Sequence, residues 1–320
     1  MLIPTALANG KETEHLHVQL IKSGDRTDVL GKFTVESSYT TFESAIPLTA
    51  GLHYEVLLDT IVLAEIEVPL DKTALSPEIL NVYPTQDTVP ENLLKIFIHF
   101  SQPMVEGHSL RYLTVLKNNR DTLKGTFLDL QPELWNQEST LLTLWVDPGR
   151  IKRDLIPNKQ LGAPLNANEQ YTLYISSDWT GKNGKSLTRS FSKSFITTSR
   201  DDTSPQPDQW IVTPPLLGTR QSLEVNLKES LDYSLLNDAI RVVNDQGNSV
   251  AGTIDLRQEE TKFIFVPNAS WKAGHYRLLI EGRLEDLAGN NLNRSFDKDL
   301  TSKEKQKEPR EIFEVSFNIP

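Results

Sequence analysis

An all-β protein is predicted, built from β-sandwiches of which one is made twice. Short runs with apolar residues at every second position are bounded by Gly, Pro, Asn and Asp, and no stretch keeps a helical period beyond two turns. Residues 171–191 also return as 276–296: without a gap they share Tyr171/Tyr276, Leu173/Leu278, Ile175/Ile280, Gly184/Gly289, Leu187/Leu292 and Arg189-Ser190-Phe191/Arg294-Ser295-Phe296. Each copy reads as a β-hairpin, an alternating strand followed by a polar Gly-bearing turn and a return strand. A hairpin cannot bury its apolar face alone, so the repeat implies two sandwiches.

Taken in order, residues 1–9 read as an untethered leader. Strands are expected over 15–21, 29–35, 42–48, 53–58 and 61–68, giving a small β-module within 1–72. A second module spans 76–198, with strands at 81–84, 95–104, 112–117, 125–130, 141–146 and 193–198 around the first hairpin. Residues 199–209 form a polar, proline-bearing linker. A third module over 210–320 repeats the second, with strands at 210–214, 222–231, 239–244, 252–256, 262–267 and 311–317, and the charged run 302–311 as a solvated loop. Strands at this spacing with Pro and Gly between them are of the immunoglobulin type. Ile96 aligns with Leu223 at an offset of 127, whereas the hairpins lie 105 apart, so the first copy carries 22 extra residues (127 − 105). Strand continuity places them at 147–166, and loops that vary at little cost to the core are where individual function tends to sit.

The 320 residues suffice for two or three cores, with 33 Lys and Arg against 43 Asp and Glu. The net charge of −10 argues against nucleic acid and anionic membrane as partners. The chain has no cysteine, which excludes disulfides, thiolate metal sites and a cysteine nucleophile. No apolar run approaches the roughly 18 residues of a transmembrane helix. The N-terminus lacks the pattern of a signal peptide, and we expect an extracytoplasmic protein, periplasmic or at the cell surface, whose signal or lipid anchor has been removed.

Pro77-Glu-Ile-Leu-Asn-Val-Tyr-Pro84 as an opening, the phrase Phe100-Ser-Gln-Pro-Met104, and Tyr276-Arg-Leu-Leu-Ile280 with Asp286-Leu-Ala-Gly289-Asn290 as a closing follow one another as in a known family. On them the stretch 76–318 resembles the bacterial Ig-like domains of S-layer and other surface proteins. In the second copy the Phe100–Met104 phrase has drifted to Leu227-Lys-Glu-Ser-Leu231, and in the first copy Gly181 stands where Asp286 does. The resemblance implies spacer, adhesion or carbohydrate-proximal modules and no catalytic residues.

Gly184-Lys185-Ser186 lacks the earlier Gly of a phosphate loop, position 179 being Trp, and no helix follows. Neither a Gly-x-Ser-x-Gly elbow nor His-Glu-x-x-His occurs, and no cofactor is expected. Asp286 and Asn290 flank Gly289 and could contribute to a Ca²⁺ site with helpers such as Asp201 and Asp202, although an Asp here ordinarily caps its own turn. His15 and His17, two apart on a strand, share a face suited to Zn²⁺ or Cu²⁺, and His99, Met104 and His108 form a looser set. Arg150, Lys152 and Arg153 make the insert locally basic, with Trp135 and Trp179 as exposed aromatic surface beside it. The leading expectation is a non-catalytic, exported binding or scaffold protein that meets a partner protein or glycan at the cell envelope. A periplasmic copper- or zinc-handling protein and a plain spacer are the alternatives.

Overall fold

In the computed structural model, residues 2–4, 15–22, 25–36, 39–46, 48–69, 73–297 and 308–320 are described. They divide into two compact units: the described part of Met1–Glu78 with Gln102–Val105 and Ser177–Arg189, and Ile79–Ser101, Glu106–Ser176 and Ser190–Pro320.

The first unit is a small sandwich. One sheet has the order β1-β5-β4, from β1 (Leu2–Pro4), β4 (Gly31–Val35) and β5 (Tyr39–Ser44); the other has the order β3-β2-β6-β7, from β2 (Leu16–Lys22), β3 (Asp25–Asp28), β6 (His53–Leu58) and β7 (Ile61–Glu67). Alternation in β2, β5 and β6 turns Val18, Phe42, Tyr54 and Val56 into a shared core. Leu2–Pro4 is not an untethered leader, because it pairs with Tyr39–Thr41. Within the same unit, Thr188 N donates to Pro77 O and Asn183 Nδ2 to Leu75 O, so the 177–189 loop holds the chain segment around Ser76.

The second unit holds two sandwiches in tandem. In the first, β8 (Ile79–Tyr83), β10 (Lys95–Phe100), β13 (Leu134–Trp135) and β14 (Leu141–Trp145) form one sheet in the order β13-β14-β10-β8. The facing sheet has the order β12-β11-β15-β16-β9, from β9 (Thr88–Pro90), β11 (Leu113–Lys117), β12 (Asp121–Leu123), β15 (Gln170–Ile175) and β16 (Phe191–Thr198). Ile96, Ile98, Leu142 and Leu144 of one sheet, and Val115, Tyr171, Leu173 and Phe195 of the other, are buried.

The second sandwich pairs β17 (Ile211–Thr213), β18 (Leu223–Asn226), β21 (Lys262–Pro267) and β20 (Gly252–Arg257) in that order, against β19 (Ile240–Asn244), β22 (Gly274–Glu281) and β23 (Ile312–Ile319). Leu223, Val225, Phe263 and Phe265 meet Ile240, Val242, Leu278, Ile280 and Phe317 in one core closed by Trp271. The fold is all-β, with immunoglobulin-like sandwiches in tandem and a smaller N-terminal β-module.

Three expectations change. Residues 125–130 form no strand: Phe127 only bridges Val146, and the partner of β11 is β12. The repeated stretch is not a tight hairpin, since β15 and β22 are followed by Gly-bearing loops; Phe191 opens a strand, but Leu292–Phe296 does not, and the return strand of the second copy is β23. The 147–166 insert contains two short helices, α1 (Pro148–Ile151) and α2 (Ile156–Leu161), the first N-capped by Asp147. A third, α3 (Tyr233–Asp238), starts at Asp232, whose side chain accepts from Leu235 N.

Candidate functional site

The two sandwiches of the second unit meet through a built joint, and most chemistry-bearing side chains of that unit converge there. Lys95 opens β10 and sends its Nζ to Asp232 Oδ2 at 2.9 Å and Glu285 Oε2 at 2.8 Å. The Lys95 and Asp232 side chains are 13% and 4% exposed, so this is a mostly dry ion cluster. Burial works to lower the Lys95 ammonium, but the two carboxylates outweigh it and hold it above its ordinary value. Glu285 is itself pushed up by burial although Lys95 draws it down, since one cation serves two acids. Beside the cluster the Tyr83 and Tyr233 rings stack at 3.6 Å, with Phe97 tilted against Tyr233 at 6.1 Å.

Glu260 fastens the next contact. Its carboxylate accepts from Thr85 N at 2.8 Å and Thr85 Oγ1 at 2.7 Å. Gln258, Glu259 and Glu260 sit consecutively at φ of 51°, 59° and 59°, a left-handed run without glycine in the turn between β20 and β21. Such residues persist where the surrounding contacts over-determine them.

The Asp286 loop closes the joint. Asp286 Oδ1 accepts from Ala288 N at 2.8 Å and Asn290 N at 2.9 Å, and Oδ2 from Asn290 Nδ2 at 2.8 Å. The loop so held offers Leu287 O to Leu94 N at 2.8 Å. Gly289 is required: at φ +81°, a Cβ would lie 2.2 Å from Leu94 Cδ2. Asn92 exchanges two bonds with the Asp201 backbone, and Asn290 Nδ2 also donates to Asp201 O at 3.1 Å. Asp201, Glu229 and Asp286 thereby come together with carboxylate oxygens within 4.8 Å, lining a cleft of about 450 Å³. Burial, with the neighbouring charges of Asp201 and Glu229, pushes Asp286 up to about 8 against the bonds from Asn290. Burial and Asp201 push Glu229 up to about 7.

The residues expected to bind or ligate fare unevenly. Asn290 is fully buried; its Oδ1 accepts from Phe296 N and its Nδ2 donates to Asp286 and Asp201. Asp286 meets Asp201 as anticipated, with Glu229 as a member that its local sequence did not mark. Asp202 instead pairs with Arg153 and Arg200. His15 Nδ1 lies 2.7 Å from Asp59 Oδ1, and among the described residues no group of three or more His, Asp or Glu side chains close enough to share an ion includes His15 or His17. Met104 is fully buried.

Trp179 is not exposed: its surface is entirely covered and its Nε1 donates to Val105 O. Trp135 is half-buried, with Nε1 bonded to Glu133 Oε2 at 2.9 Å. Three basic residues of the insert make contacts within the fold, although the Arg153 side chain stays 59% exposed. Arg150 donates to Gly125 O, Gly162 O and Ala163 O at 2.7, 3.0 and 3.1 Å, stapling the insert to itself and to the turn at Gly125. Lys152 Nζ lies 4.3 Å from the centre of the Phe296 ring, and Arg153 Nε lies 2.9 Å from Asp297 Oδ2. No helix among the described residues is long and apolar enough to cross a membrane.

No family model matches the chain, and no curated protein matches it in sequence. Among solved structures it is similar to native alpha-2-macroglobulin of Escherichia coli over domains MG0-NIE-MG1, at 12% identity and TM-score 0.26, covering 76% of this chain and 71% of that one. It is similar to the N-terminal part of the bacterial S-layer protein SbsC at 12% identity and TM-score 0.25, covering 66% of this chain and 42% of that one. The tandem Ig repeats of Dlar match at 10% identity and TM-score 0.21, covering 65% and 90% of the two chains. Likenesses of this size say nothing about activity or partners.

Proposed function

We propose that the protein is a non-catalytic scaffold or binding protein of the cell envelope, in which the tandem sandwiches act as one body. The observation that carries this reading is the Lys95–Asp232–Glu285 cluster, a mostly buried charge contact between the sandwiches. Sandwiches that are merely strung together meet through small polar surfaces and move freely. A cation shared by two carboxylates away from water is costly to form unless its geometry is kept, and it fixes one arrangement of the two bodies. Fixed separation is what a scaffold needs in order to present a partner protein or glycan, whereas an enzyme cleft between domains usually needs to open and close.

The copper- or zinc-handling alternative has less support, since His15 pairs with an aspartate and the acidic group at the joint contains no histidine. The test is twofold. Intact protein immobilised against an envelope fraction of the source cells is expected to retain a protein or glycan, and a broad panel of hydrolase substrates is expected to stay unturned. Turnover that vanishes on replacing Glu229 or Glu285 would overturn the scaffold reading.

A further inference from the structure

Each copy of the repeated sandwich carries extra residues that the other lacks, and the insert of the first reaches the point where those of the second begin. The first copy has its insert at 147–166. In the second, the extra residues lie before the return strand: Ile175 faces Phe191 across its sheet, 16 residues on (191 − 175), whereas Ile280 faces Phe313, 33 residues on (313 − 280). Phe296 aligns with Phe191, so Asp297 is where the second copy's own insertion begins.

These two residues receive the insert. Asp297 Oδ2 accepts from Arg153 Nε at 2.9 Å and from Arg200 Nη2 at 2.7 Å, and its side chain is 12% exposed. Arg200, from the linker, also donates to Ile151 O at 3.2 Å. Phe296 lies under the Lys152 ammonium and packs with Ile151 against Leu94 and Val146 in one apolar cluster. Charge pairing, a cation over a ring and apolar packing therefore act on the same two residues.

We propose that the 147–166 insert, seated on Phe296 and Asp297 of the second sandwich, forms a bracket that helps to fix the angle between the sandwiches. The insert is then a fastening element whose Lys152 and Arg153 hold the second sandwich, and its length matters because it must reach Asp297. This deepens the scaffold reading and rests on it only for purpose; the geometry is measurable without any partner. Substrate turnover would end the scaffold reading and leave the bracket standing.

The chain has no cysteine, so exposed Asp121→Cys and Asp245→Cys can carry one spin label on each sandwich. Pulsed electron spin resonance on the otherwise unaltered full chain should give one narrow distance. Arg153→Ala with Phe296→Ala should broaden that distribution about twofold, because the contacts that remain around Lys95 and the Asp286 loop hold a smaller, more polar interface that leaves the angle more freedom. Lys159→Ala, whose ammonium only approaches Asp154 at 4.0 Å, should leave it unchanged. Arg153→Gln alone is judged by the same criterion if the double variant does not fold. An unbroadened distribution in a folded bracket variant, or equal broadening by Lys159→Ala, would overturn the proposal.

Discussion

Lys95 places one positive charge between the carboxylates of Asp232 and Glu285, where most of each side chain is out of water. Removing one member of such a cluster leaves charge buried without a partner, and Lys95→Met is expected to cost about 3–5 kcal/mol in urea unfolding. The acid trio at the cleft behaves in the opposite sense. Asp286 at about 8 and Glu229 at about 7 lie above their unfolded values, so the folded chain holds protons that the unfolded chain releases. Their contribution is fully present below about pH 4 and is lost as pH rises through about 8. Thermal midpoints should therefore fall across that window on account of this cluster, and Glu229→Gln should flatten the fall and raise the midpoint at pH 8. An unchanged slope in Glu229→Gln would contradict the assignment. At this scale the sequence was partly legible. The phrase Asp286-Leu-Ala-Gly289-Asn290 marks a capped turn, because turn chemistry is local. Glu229 and Glu260 carried no local mark, since their roles arise only when chain segments far apart in sequence are brought together.

Among the elements, the Asp286 loop makes the sharpest demands on its residues. Gly289 combines a positive φ with a missing Cβ against Leu94, whereas Gly218 has φ +73° and open space around it. Gly218→Ala should thus incur only the conformational cost, about 1 kcal/mol, while Gly289→Ala should exceed it because Leu94 must also move. Paired chemical denaturation of the two variants measures the difference, and equal losses would mean that the loop does not press on Leu94. Strands are legible from alternation, as in β14, β22 and β23, where the more buried face is set by every second residue. The misreadings share a cause. Residues 125–130 alternate like a strand but meet Val146, just past β14, by one bridge only, and Leu292–Phe296 copies a strand-opening phrase while serving the joint. Trp179 stood in a polar context, and its burial comes from tertiary packing that no local pattern encodes.

At the scale of the second unit, the joint turns a repeated module into a single body. Ion cluster, aromatic stack, capped loop and bracket all act across the same boundary, so opening one sandwich should expose buried charge on the other. Native-state hydrogen exchange of the full chain in increasing urea tests this most directly. Amides of β14 in the first sandwich and β21 in the second are expected to merge onto one unfolding isotherm, with the same free energy and the same urea dependence, and Lys95→Met should part them. Two separate isotherms in the unaltered protein would contradict the joint as the feature that unites the sandwiches.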